Sequence, residues 1–103
     1  MQNKYNIYVA MINKNIKIIR VKLDKLDNKL LKIIKIRTKL VNKILLNKTR
    51  KNQIVDKKRI ATILKKIKQR SIENKIDPKI TNKIWKSMIN AFIDYEFRNF
   101  KKK

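Results

Sequence analysis

From Ile16 to Arg50 the chain reads IKIIRVKLDKLDNKLLKIIKIRTKLVNKILLNKTR, 35 residues without a glycine or a proline. Nothing in that stretch breaks a helix. Its apolar residues recur at helical spacing, through Ile16, Ile19, Leu23, Leu26, Leu30, Ile33 and Ile34, Leu40 and Val41, and Ile44. One helix of that length spans roughly 52 Å, whereas a compact domain of this size has a radius of gyration of about 13 Å. The remaining residues of a single copy cannot bury such a stripe.

Two cations interrupt the stripe. The apolar face leads from Leu30 through Ile33 to Arg37, and on through Val41 and Ile44 to Lys48. Eleven residues separate them, so on a continuous helix they stand about 20° apart around the axis. Both are expected to project inward. Taking a charge out of water is costly unless an anion meets it, so the pair calls for a protein carboxylate or an anionic ligand. The plainer alternative is that both side chains reach back to water, Lys48 serving only to complement the negative end of its helix.

A chain of 103 residues supports one domain with a modest core. The absence of cysteine and histidine removes thiol chemistry, disulfides and the usual transition-metal ligands. No apolar run is long enough to span a membrane, and the opening MQNKYNIYVAMI lacks the build of a signal peptide, so a cytoplasmic protein is expected. The formal charge of +23 invites a nucleic-acid reading. Lys, Ile and Asn make up 55 of the 103 residues, however, as A·T-rich codon usage would produce, and the lysines are scattered instead of forming one stripe. Most of this charge is read as solvated surface, and nucleic acid is not the expected partner. Only six residues are arginine. In a lysine-rich background they are the more informative cations, because a planar guanidinium grips a carboxylate through two bonds.

Residues 1–15 are weakly patterned and read as an arm of unassigned role, with Met11 as good a start as Met1. Asp24 and Asp27, in the early turns of the long helix, are read as surface ion-pair partners. After the polar connection TRKNQIV, Asp56 reads as the N-cap of a second helix, KKRIATILKKIKQRSIEN, with Ile60, Ile63, Leu64 and Ile67 on its apolar face and Ile72 as a candidate continuation. Arg59 falls in its first turn, where a cation opposes the helix dipole; an anion shared with the free amides would explain it. In NKIDP, Asp77 caps a third helix with Pro78 at its first position. That helix is expected to run to about Phe100, with Ile80, Ile84, Trp85, Met88, Ile89, Phe92 and Ile93 inward. Glu96 extends this face, eleven residues beyond Trp85. Burial works against its charge unless Lys48 or an arginine pairs with it.

Three helices therefore turn a few charged groups toward one interior, with no nucleophile, metal ligand or glycine-rich phosphate loop. No cofactor is expected. Such a set suits an enzyme that binds a small polyanion and acts by orientation and electrostatics. The order Arg20, Arg37, Lys48, Asp56 and Arg59, followed by an acid late in the last helix, resembles the all-helical AroQ class of chorismate mutase. RVKLDKLDNKLLKIIKIRTKLV is similar to that family's first helix and IDPKITNKIWKSMINAFIDYE to its last, so the likeness covers roughly residues 16–97 of a domain drawn at 16–100. It implies an all-α, three-helix chain in an intertwined homodimer that rearranges chorismate to prephenate. By the same resemblance, Arg37 and Arg59 hold carboxylates and Lys48 meets the ether oxygen of the breaking bond. Asp56 orients the ring hydroxyl, Glu96 donates to the ether oxygen, and Arg20 reaches the partner's site.

Two positions depart from the mutase pattern. Ile60 stands where many mutases carry Glu, and Phe92 where a small polar residue is common. The related isochorismate–pyruvate lyases share the fold and the cationic spacing, and they look similar to RIATIL in having an apolar residue after the arginine; they typically place Gln where Glu96 stands. The lyase is the nearest alternative. A basic helical nucleic-acid-binding protein and a purely structural dimerisation module are the competitors from other classes.

Overall fold

The computed structural model describes residues 4–101. In chain order these form α1 (Lys4–Leu46), a short 3-10 turn (Lys51–Gln53), α2 (Lys57–Glu73) and α3 (Pro78–Asn99), with no strand among the described residues. The fold is all-α with three helices, as the periodicity implies. None of these helices is long and apolar enough to cross a membrane.

The first helix begins at Lys4, twelve residues earlier than the sequence pattern suggests. Residues 4–15 lack glycine and proline, and Tyr5, Tyr8, Met11 and Ile12 lead into Ile16 at helical spacing. The helix also ends early, at Leu46. The Asn47 and Lys48 amides fold back onto the Ile44 and Leu45 carbonyls, each at 3.0 Å, tightening the end of the helix into a 3-10 turn. Lys48 thus lies just past the helix, and the turn sets its direction.

The chain divides into two compact units, Met1–Arg37 and Thr38–Lys103. The described part of the first is helix alone, and its Leu23, Leu26 and Leu30 are each more than half exposed. In the second, Leu45, Ile54 and Ile89 are buried, one each from the end of α1, the 3-10 turn's exit and α3. Trp85, Met88, Phe92 and Ile93 are half-buried. Ile80 and Ile84 are instead 55% and 52% exposed. Each stands one residue, about 100°, before a member of the buried face, Thr81 or Trp85, and so turns away from it.

Caps fix the second and third helices. Asp56 Oδ1 accepts the Arg59 amide at 3.0 Å and Asp77 Oδ1 the Lys79 amide at 2.9 Å, with Pro78 opening α3. The helix α2 stops in a Schellman turn: the Ile76 amide donates to the Ser71 carbonyl at 2.8 Å and the Lys75 amide to the Ile72 carbonyl at 3.1 Å. That places Lys75 at φ 56°, in the left-handed region usually given to glycine, and this chain has no glycine. Two buried hydroxyls then join α2 to α3, with Ser71 Oγ 2.7 Å from Thr81 Oγ1. The Ser71 hydroxyl also donates to the Ile67 carbonyl at 2.6 Å, and the Thr81 hydroxyl reaches the Pro78 carbonyl at 3.4 Å.

Candidate active site

Lys48 Nζ lies 2.8 Å from Glu96 Oε1, joining the turn after α1 to the last third of α3. Glu96 is 6% exposed, and the lysine side chain keeps 18% of its surface. The burial follows from position: Glu96 continues the face of Thr81, Trp85, Met88 and Phe92 along α3. A carboxylate placed there loses much of its water, and the ammonium returns part of that solvation as a charge-assisted hydrogen bond. Of the two cations expected to face inward, Lys48 therefore meets a protein carboxylate.

Two further side-chain arrangements adjoin this pair in the chain. The Tyr95 hydroxyl donates to Asn42 Oδ1 at 2.8 Å, both groups half-buried, so the residue beside Glu96 on α3 is tied to the last turns of α1. After Lys48, the Gln53 carboxamide oxygen accepts the Thr49 and Arg50 amides at 2.7 and 2.9 Å and the Thr49 hydroxyl at 3.3 Å. That single oxygen holds the connection closed. A glutamine three residues after Arg50 is a capping signal visible in the sequence. The Asn42–Tyr95 bond spans 53 residues and leaves no local trace.

The other candidates take up defined positions. Asp56 spends one carboxylate oxygen on the cap of α2, and Arg59 stands exposed in that first turn. Ile60, the next residue, is half-buried, as is Phe92, one turn before Glu96 on α3. Arg37 is half-buried and Arg20 exposed, both on α1 in the Met1–Arg37 unit. Within the Thr38–Lys103 unit, then, the fold brings Lys48 to Glu96 and caps Arg59 with Asp56.

An ammonium and a carboxyl group side by side, both partly shielded from water, can meet one ligand oxygen together. The lysine supplies positive charge; the carboxyl group, once protonated, supplies a hydrogen bond. The arrangement suits stabilisation of negative charge that grows on an oxygen during bond breaking.

The family model for chorismate mutase type II matches residues 19–97. No match was found among curated proteins or among solved structures. The matched span holds all of α2 and both members of the Lys48–Glu96 pair, and it leaves out residues 4–18 of α1. By its helices and by that match over most of its length, the chain belongs to the chorismate mutase type II family.

Proposed function

We propose that this protein is a chorismate mutase, an isomerase that converts chorismate to prephenate for phenylalanine and tyrosine synthesis. The observation that carries the reading is the Lys48–Glu96 pair, 2.8 Å apart and inside the span that matches the family. In the rearrangement a carbon–oxygen bond of the ether breaks as a carbon–carbon bond forms, in one cyclic shift of electrons. No covalent intermediate and no proton transfer are required. The protein's task is to hold the dicarboxylate in its compact conformer and to stabilise negative charge on the ether oxygen as that bond lengthens. Lys48 and a protonated Glu96 serve that oxygen, Arg37 and Arg59 hold carboxylates, and Asp56 orients the ring hydroxyl. Ile60 and Phe92 line the site.

The working form is a homodimer. Leu23, Leu26, Leu30, Ile33 and Leu40 are each more than half exposed in a single copy, an apolar surface along one helix that a second copy would cover. Arg20, exposed on the same helix, then enters the partner's site.

One observation favours a second reading. Ile60, half-buried directly after Arg59, gives the site an apolar residue where the ring hydroxyl of chorismate would gain from a polar one. The related isochorismate–pyruvate lyases look similar in carrying an apolar residue after that arginine. Purified protein offered chorismate and isochorismate in parallel, with loss of ring absorbance and release of pyruvate followed, separates the two. Chorismate consumed without pyruvate establishes the mutase, and faster pyruvate release from isochorismate selects the lyase. Failure of both substrates would bring the nucleic-acid reading forward, with strongly salt-dependent binding as its signature.

A further inference from the structure

We propose that Tyr95 and Asn42 are positioning residues whose hydrogen bond sets the rotation of α3 and so places Glu96 against Lys48. The proposal rests on the mutase reading of that pair. Tyr95 and Glu96 are neighbours on α3, about 1.5 Å apart along its axis and 100° apart around it. Both bond to the same short piece of chain: Tyr95 to Asn42 in the last turns of α1, and Glu96 to Lys48 just beyond that helix. A single bond between two segments leaves a helix free to roll about it. Two bonds from adjacent side chains, directed a quarter-turn apart, remove that freedom.

The two bonds are unlike in what substrate does to them. The Lys48–Glu96 bond has to adjust when an ether oxygen arrives between or beside its partners, because both groups then turn to the ligand. The Tyr95–Asn42 bond has no part in the ligand contacts proposed for the site, and it can hold α3 in place while the charged pair adjusts. Its groups are neutral and half-buried at 2.8 Å, so neither salt nor a change of charge at the site weakens it directly. Packing alone is a poor substitute here: Tyr95, Phe92 and Ile93 are only half-buried, and Ile89 is the one buried apolar residue of α3. A helix so lightly buried is held in rotation by its polar bonds.

The test is steady-state kinetics on chorismate with Tyr95→Phe and Asn42→Ala, each made in the wild-type and in the Glu96→Ala background, with thermal melts of every variant. Each single change is expected to lower kcat by about tenfold, since small misplacements of a catalytic group cost up to a hundredfold. KM should stay within about twofold, because the carboxylates are held by other residues. In the Glu96→Ala background the same changes should have no further effect on kcat, and the double Tyr95→Phe/Asn42→Ala variant should be no worse than either single one. A fall in kcat that persists undiminished without Glu96 overturns the proposal, since the bond would then be general scaffolding. An unchanged kcat in Tyr95→Phe overturns it as well. Should the wild-type protein turn over neither chorismate nor isochorismate, the mutase reading itself falls and takes this role with it.

Discussion

Lys48 Nζ and Glu96 Oε1 stand 2.8 Å apart although 48 residues separate them in the chain. With Glu96 at 6% exposure, the carboxylate depends on that lysine for part of the solvation it gave up on folding. Lys48→Ala removes the partner and leaves the acid in place. Stability near neutral pH is expected to fall by about 1–3 kcal/mol, read by thermal or denaturant unfolding at fixed protein concentration. Adding Glu96→Gln to Lys48→Ala should recover part of that loss, because the buried charge is then gone. Activity should not recover with it, as the ether oxygen has still lost its cation.

The same pair tests what Glu96 contributes to the reaction. An ion pair needs the carboxylate charged, whereas donation to an ether oxygen needs a proton on the group. Glu96→Gln keeps the shape of the side chain and supplies an amide N–H that donates, so it should retain or raise kcat/KM on chorismate, whereas Glu96→Ala should lower it by about a hundredfold. Equal losses in the two variants would remove donation by Glu96 from the mechanism.

Much of this architecture is readable from the chain, and the exceptions have physical causes. Asp56 and the Asp77-Pro78 pair announce the starts of α2 and α3 because caps act over three or four residues. The start of α1 is harder to see, since an exposed helical arm needs no sharp contrast between its faces and residues 4–15 show little. Ile80 and Ile84 mislead because hydrophobicity alone places them inward, while a buried Thr81 answering Ser71 lies on the true face of α3. Glu96 could be placed from its eleven-residue step beyond Trp85. Lys48 sits past the helix end, so its meeting with Glu96 depends on a turn that periodicity does not describe. The bond from Tyr95 to Asn42 is long-range and was not foreseeable from any local pattern.

A glycine-free sequence has left a correctable strain at Lys75. At φ 56° its Cβ crowds the following carbonyl, which costs roughly 1–2 kcal/mol for a side-chain-bearing residue. Glycine avoids that clash but loses more backbone entropy on folding, about 0.5–1 kcal/mol. The difference favours Lys75→Gly by a few tenths to about 1 kcal/mol, worth up to about 5 °C in melting temperature. Lys75→Val, β-branched at the same φ, should move the midpoint the other way. Catalysis should be unaffected, because the turn between α2 and α3 holds none of the residues assigned to substrate.

Arg37 separates an enzyme from a module that merely dimerises. It is half-buried on a helix whose neighbouring apolar residues are largely exposed in one copy. If the helix exists only to bring two copies together, a cation on its inward side is a burden, and Arg37→Ala should be silent or stabilising. If the cation holds a substrate carboxylate, Arg37→Ala should lower kcat/KM by about a hundredfold or more, since a charge-assisted bidentate contact worth about 3 kcal/mol is lost. Light scattering on the same sample reports whether the dimer survives. Loss of turnover with an intact dimer is the expected outcome. A variant that stays fully active overturns the assignment of Arg37, and one that turns monomeric shows that its first duty is at the interface.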